Sequence, residues 1–407
     1  MMEVRHMHSL RDPGERRATA RSVLAACAML ATAVVLGGLW LPQAALADAR
    51  TQARRLHDRI AGVPPTESVL LAMAADIAGG RPTDAAFKAM EHPAFYDVTL
   101  KNFAMPWTNR DQTVFAPLND YVATVVGMVR DDVPFNAVLS DDILYVANGG
   151  GVPAYSPASN EHYEAIEARG VSLKDALVRT TQSSVTGLPP DATAGVVTTR
   201  AAAQAFFIAG TNRAMFRYTL MNHLCTDLEQ VQDPTRPPDR IRQDVSRSPG
   251  GDSRVFLNNC VACHSGMDPM AQAYAYYDYD ETAGRLVYTA GQVRPKYFNN
   301  RDTFRPGFAT PDDRWDNYWR DGRNASLGWD PALPGSGSGA KSLGRELAGS
   351  AAFARCQVEK VFRNVCFRAP SDAADRARVD SMTASFKASG YRLKQVFAEA
   401  ATYCMGD

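Results

Sequence analysis

The chain has 407 residues, a formal net charge of zero, 45% hydrophobic residues and 22% charged residues. That is ordinary for a globular protein with a sizeable core, in one large domain or two. Zero net charge gives no electrostatic case for a nucleic-acid partner.

Residues 1–47 read as a signal peptide. Arg11, Arg16, Arg17 and Arg21 form a basic region, Ser22 to Leu41 is almost wholly apolar, and Ala45-Leu46-Ala47 is a small-x-small cleavage site before Asp48. An apolar run of this length could also stay as a membrane anchor. Membrane association is therefore possible but not required, and the Ala-x-Ala ending favours cleavage. Arg16-Arg17 lacks the flanks of a twin-arginine signal. Leu24-Ala25-Ala26-Cys27 lacks the order of a lipobox, because the apolar run follows Cys27 instead of closing on it. The mature protein is expected to be exported, periplasmic or extracellular.

From 48 to 231 helical signals dominate, which suggests an N-terminal helical domain. Pro64-Pro65-Thr66 opens a helix with Leu70, Met73 and Ile77 on one face, stopped by Gly79-Gly80. Thr83 is a cap for the next helix, with Phe87 and Met90 inward. Val122, Val125, Val126 and Val129 follow helical spacing, although their β-branching leaves a strand as the alternative. Ser172 to Arg179 and Thr211 to Leu228 read as further helices. The acidic pairs Asp131-Asp132 and Asp141-Asp142 read as caps or solvated faces, since neighbours on a helix do not face each other. His57, His92 and His162 are isolated, and each reads as a surface or core histidine.

Residues 232–250 are Pro- and Arg-rich and read as a connector into a segment, 251–290, that carries the main chemical signal. Cys260-x-x-Cys263-His264 is the spacing of covalent c-type haem attachment. Two thiols must reach the two vinyl groups of one macrocycle, and the next residue must present an imidazole to the iron. One covalent haem c is expected, with His264 as proximal ligand. The competing readings are a redox cysteine pair and half of a zinc site. The first needs a βαβ context that is absent, and the second needs two more ligands, while no His lies downstream of His264. Asp268-Pro269 reads as a cap and first position of a helix from Met270 to Tyr279, carrying Tyr274, Tyr276, Tyr277 and Tyr279. Asp278, Asp280 and Glu281 lack the glycine and bidentate Glu of a calcium loop.

These residues carry a resemblance. Cys-x-x-Cys-His-x-x-Met-Asp-Pro, then an aromatic stretch and Tyr279-Asp280…Gly284-Arg285, resembles the planctomycete-type secreted cytochrome c-like family. Its signature has Phe where this chain has Tyr279, and a turn one residue shorter. Gly195-Val196-Val197-Thr198, Thr211-Asn212-Arg213 and Phe353-Ala354-Arg355-Cys356 look like flanking stretches of that family, more weakly. Gly62-Val63-Pro64-Pro65 and the run from Pro134 to Leu139 fit its N-terminal part. The resemblance implies a haem-binding exported protein and lends no settled reaction.

Residues 291–407 read as a loop wrap followed by C-terminal helices. Phe298, Phe304, Trp315, Trp319 and Trp329 need burial, so the wrap is expected to be ordered over the haem. Gly335 to Ser342 nearly matches a P-loop but has Ala340 in place of the second Gly and no preceding strand, so no nucleotide is expected. Ala354, Val358, Val361, Phe362 and Val365 form one helical stripe. Val379, Met382 and Phe386 form another, and Leu393, Val396, Phe397, Ala400 and Cys404 the last. The expected fold is mainly α: a helical, cytochrome c-like haem segment embedded in a larger helical protein with long irregular loops.

Besides the haem pair, Cys225, Cys356, Cys366 and Cys404 remain after position 47, which suggests two disulfides in an oxidising compartment. Cys356 and Cys366 on one helix lie about 15 Å apart, too far to bond. The pairing 225–356 with 366–404 is preferred over 225–366 with 356–404.

No nucleophile elbow, metalloprotease motif or Rossmann fingerprint is present, and no catalytic residue is assigned. The sixth iron ligand separates two classes: an electron carrier with a redox partner protein, and a haem enzyme, sensor or subunit of a degradative complex with an open position. A binding protein with a structural haem is a third. Met267 follows His264 too closely to reach the distal face, and no Met or His lies between Met270 and Met382. Arg213, Arg217 and Met221 recur at intervals of four on one helix face, so the arginines can pair with haem propionates and Met221 can be the sixth ligand. The alternative places Met221 in the core with Phe216, Leu220 and Leu224.

Overall fold

Twelve helices of seven or more residues form the framework of the described chain: α1 (Ala49–Ala61), α2 (Glu67–Ala78), α3 (Pro82–Met90), α4 (Asp120–Arg130), α5 (Glu161–Ala168), α6 (Arg200–Phe206), α7 (Arg213–Thr219), α8 (Val261–Ala271), α9 (Gly339–Gly349), α10 (Ala351–Cys366), α11 (Ala373–Ala388) and α12 (Leu393–Cys404). Three antiparallel strand pairs supplement them: β1 (Leu144–Ala147) with β2 (Leu177–Thr180), β3 (Tyr277–Asp280) with β4 (Arg285–Tyr288), and β5 (Arg314–Asp316) with β6 (Ser336–Ser338). The fold is mainly α, as expected. The structure is a computed structural model that describes residues 48–149, 151–208, 211–242, 245, 253–298 and 307–406. Residues 1–47, read above as a signal peptide, much of the second half of the connector and Phe304 lie outside the described residues. Among the described residues no helix is long and apolar enough to cross a membrane.

Local chemistry explains the helix limits that matter here. The Thr66 hydroxyl accepts from the Val69 N–H and opens α2, whose Leu70 and Met73 are buried. Such a cap contributes about 1 kcal/mol. In α4, Val122, Val125, Val126 and Val129 are all fully buried, so tertiary packing decides for helix over strand. Asp120 is buried at its start and accepts from the backbone N–H groups of Arg200 and Ala201 at 2.6 and 3.0 Å. One carboxylate thus fixes α4 against the first turn of α6. The three C-terminal stripes are buried as read, on α10, α11 and α12, except that Cys404 is only partly buried.

Four expectations are corrected. Pro82, not Thr83, begins α3, because its fixed φ suits the first helical position, and Phe87 faces outward. Residues 172–179 make one helical turn (Leu173–Ala176) and then β2, whose edge pairs with β1. The stretch from Thr211 to Leu228 is not one helix. Thr211 and Asn212 are left-handed, α7 widens into a π turn at Leu220–Leu224, and left-handed Cys225 ends it. The aromatic helix after Asp268 is absent: α8 begins earlier, runs through Asp268 and Pro269, and gives way to β3. Pro269 removes one backbone bond near the end of α8, where the helix stops two residues later.

Residues Ala49–Gly406 form one compact unit, and a single buried cluster extends through it from Ala53 to Ala401. Cys225 bonds Cys356, and Cys366 bonds Cys404, the preferred pairing. The first bridge ties the residue after the π turn to α10, and the second ties the ends of α10 and α12. His57 and His162 are buried, each with Nδ1 against a backbone carbonyl, as expected of core histidines. Trp315 and Trp319 are buried and Trp329 is partly buried, so the described part of the wrap is packed.

Candidate haem site

Cys260 closes a π turn, Phe256–Cys260, and caps α8, so Cys260, Cys263 and His264 share one helical turn. Spacings of three and four place them on one face. π turns recur at functional sites because the extra residue redirects the following side chains. Of the six cysteines among the described residues, Cys260 and Cys263 are the two left as free thiols, both partly exposed. Burial, then Cys260, Glu229 and Asp227, pushes the Cys263 thiol up. That is opposite to the depressed pKa of a reactive redox cysteine. Among the described residues no group of three or more His, Cys, Asp and Glu is placed to hold a metal ion, so the four-ligand zinc reading finds no partners there.

Three contacts hold α8 in place. The Asp233 N–H donates to the Ala262 carbonyl at 2.9 Å, and the Ser265 hydroxyl donates to the Asp233 carbonyl at 3.2 Å. The Cys263 thiol lies 3.7 Å from the Leu228 carbonyl. On another side Gly266 lies against Trp319 so closely that a Cβ there would be 1.8 Å from the indole Nε1. Trp319 also packs on Phe216 of α7, with ring centroids 5.8 Å apart.

The polar centre is Asp268, whose side chain is wholly inaccessible. His264 Nδ1 is 3.0 Å from its Oδ1. Arg213 donates through Nε and Nη2 at 2.9 and 3.1 Å, and Arg242 donates through Nη2 at 3.4 Å and through its backbone N–H at 3.3 Å. Burial alone would raise the Asp268 carboxyl, but Arg213, Arg242 and His264 outweigh it and hold the group well below the usual carboxylate range. An ionised carboxylate only accepts, so Nδ1 carries the proton. In the neutral ring Nε2 then keeps its lone pair, and among the described residues nothing is hydrogen-bonded to it. Two unpaired thiols and an imidazole with a free Nε2, on one turn, fit the donor set of a covalent haem c.

The structure brings Arg213 to His264 through Asp268. It takes Arg217 elsewhere, into a two-pronged pair with Asp227 at 2.7 Å on both arms. Met221 lies in the π turn and is partly exposed, not in the core with Phe216, Leu220 and Leu224. It lines a cavity of about 470 Å³ with Trp107, Asp227, Gln230 and Lys360, and none of Cys260, Cys263 and His264 borders that cavity. His223 is buried and hydrogen-bonded to the Tyr121 hydroxyl at 2.7 Å.

Two site residues escaped the sequence reading. Asp268 was expected to be a helix cap, yet it is buried inside α8, four residues after His264. That spacing is the available signal once α8 spans both residues. Arg242 comes from the connector and carries no local signal at all. No protein-family model, curated protein sequence or solved structure matches the chain.

Proposed function

We propose that the protein is an exported mono-haem c-type cytochrome that transfers single electrons by an outer-sphere route in the periplasm or cell envelope. The observation that carries this reading is the separation of the cysteines. Four are consumed in two bridges, while the pair next to His264 stays free beside an imidazole whose Nδ1 faces the Asp268 carboxylate at 3.0 Å. Cys260 and Cys263 would form the two thioethers, and His264 Nε2 would bind the iron. When bound, haem c supplies a one-electron couple. The chain's own part is to hold α8 against Trp319 and the 228–233 segment, and to orient the imidazole through Asp268. The two disulfides agree with an oxidising compartment. The partner would be another redox protein.

Arg217 is kept as a candidate for a propionate and Met221 as candidate sixth ligand, while Arg213, the other propionate candidate, is committed to Asp268 through Nε and Nη2. A second reading, a haem enzyme, sensor or haem subunit with an open sixth position, is favoured by one observation: Met221 belongs to a cavity that the haem motif does not border. Carbon monoxide separates the two. The carrier reading expects the reduced wild type to refuse carbon monoxide. It expects Met221→Ala to accept it and to lose the weak far-red sulfur-to-iron band of Met/His ligation. Ready binding by the wild type would replace the carrier with the open-site protein.

A further inference from the structure

Asp268 is placed to do more than complete the packing of α8. Its carboxylate is buried at 0% side-chain exposure and touches three donors at once. His264 sits one helical turn before it, Arg213 comes from α7, and Arg242 comes from the connector. A buried carboxylate with a single cation would satisfy charge balance, and a backbone carbonyl would suffice to orient the ring. This site has an anion on the ring nitrogen and two cations on the anion.

We infer that Asp268 is a positioning residue that lowers the reduction potential of the haem through His264, with Arg213 and Arg242 limiting how far. The inference rests on the haem reading above. The partner of the second ring nitrogen sets the basicity of a metal-binding imidazole. A carboxylate draws the Nδ1 proton more strongly than a neutral carbonyl does, so Nε2 becomes a stronger donor. A stronger donor favours the oxidised iron, and hydrogen bonding around an axial ligand is a recognised control of haem potential. The arginines pull the carboxylate charge the other way. Removing the anion and removing a cation should therefore move the potential in opposite directions.

The test is spectroelectrochemical titration of the haem-loaded wild type, Asp268→Asn, Asp268→Glu and Arg213→Gln. A pyridine haemochrome spectrum of each sample first reports covalent haem. Asp268→Asn should raise the midpoint by at least a tenfold change in the one-electron equilibrium constant, about 59 mV. Asp268→Glu, which keeps the charge, should fall between the two. Arg213→Gln should lower the midpoint. An Asp268→Asn protein that carries covalent haem without a raised midpoint overturns the inference and leaves the haem reading intact. Should Asp268→Asn fail to fold once Arg213 and Arg242 lose the carboxylate charge, Arg213→Gln decides alone, and an unmoved or raised midpoint overturns the inference. A wild type without covalent haem would instead overturn the haem reading itself.

Discussion

Replacing Gly266 with alanine sets two effects of opposite sign against each other. Inside a helix, alanine is favoured over glycine by about 1 kcal/mol. At Gly266 the new Cβ would stand 1.8, 2.4 and 2.6 Å from three atoms of the Trp319 indole. Ordinary carbon contacts are about 3.5–4.0 Å. Trp319 has little room to retreat. It is fully buried and packs on Phe216, its backbone N–H donates to Asn317 Oδ1 at 3.0 Å, and its backbone carbonyl accepts from Trp329 Nε1 at 2.8 Å. Overpacking costs about 1–3 kcal/mol, and the depth of this overlap puts it at the upper end. Less the helix gain, Gly266→Ala should destabilise by about 2 kcal/mol. Urea unfolding of the haem-loaded protein, followed by circular dichroism with disulfides intact, measures it. Adding Trp319→Phe should recover part of the loss, because the smaller ring frees the space that the Cβ needs. A Gly266→Ala protein as stable as the wild type would show that α8 is not seated on Trp319 as described.

The disulfides and a buried amine give further expectations. In the chain-entropy description, removing the Cys366–Cys404 bridge, separation 38, costs about 4 kcal/mol, and removing Cys225–Cys356, separation 131, costs about 5. Paired Cys→Ser variants compared by urea midpoint check that order, and equal or negligible losses would refute it. A denaturing thiol assay of the chain from Asp48 onward should count two thiols without haem and none with it. Burial, reinforced by Arg363, pulls the Lys360 ammonium down to about 7, where it stands 4.1 Å over the Trp107 ring. The unfolded chain then binds more protons between about pH 7 and about pH 10, so stability should rise with pH across that window. Lys360→Met should flatten the rise, and an unchanged slope in the variant would assign it to other groups.

Much of the fold was legible because periodicity and burial agree where helices are long. The stripes of α10 to α12 are examples, and so is the geometric exclusion of a Cys356–Cys366 bond. What failed was local. The sequence offers Asp268-Pro269 as a helix start, because Asp caps and Pro at the first position are both common. Here tertiary contacts from Arg213 and Arg242 bury the carboxylate, and α8 accepts the proline near its end. The interval of four that joined Arg213, Arg217 and Met221 assumed a regular helix. The π turn at Leu220–Leu224 breaks that assumption, and a π turn leaves no mark in residue spacing. The spacing of Cys260, Cys263 and His264 was legible, and the structure leaves both thiols unbridged on one turn with the imidazole. Their polar support was not, because Arg242 reaches the site across the connector.

Covalent haem attachment is the claim on which the rest depends. The full chain would be expressed in a host with c-type maturation, purified, and extracted with acid acetone. Colour that stays with the protein pellet, and a pyridine haemochrome spectrum showing both vinyl groups saturated with one haem per chain, is the expected result. Cys260→Ser with Cys263→Ser should abolish both. Colour that leaves with the acetone, or a wild type carrying no haem, would contradict the account.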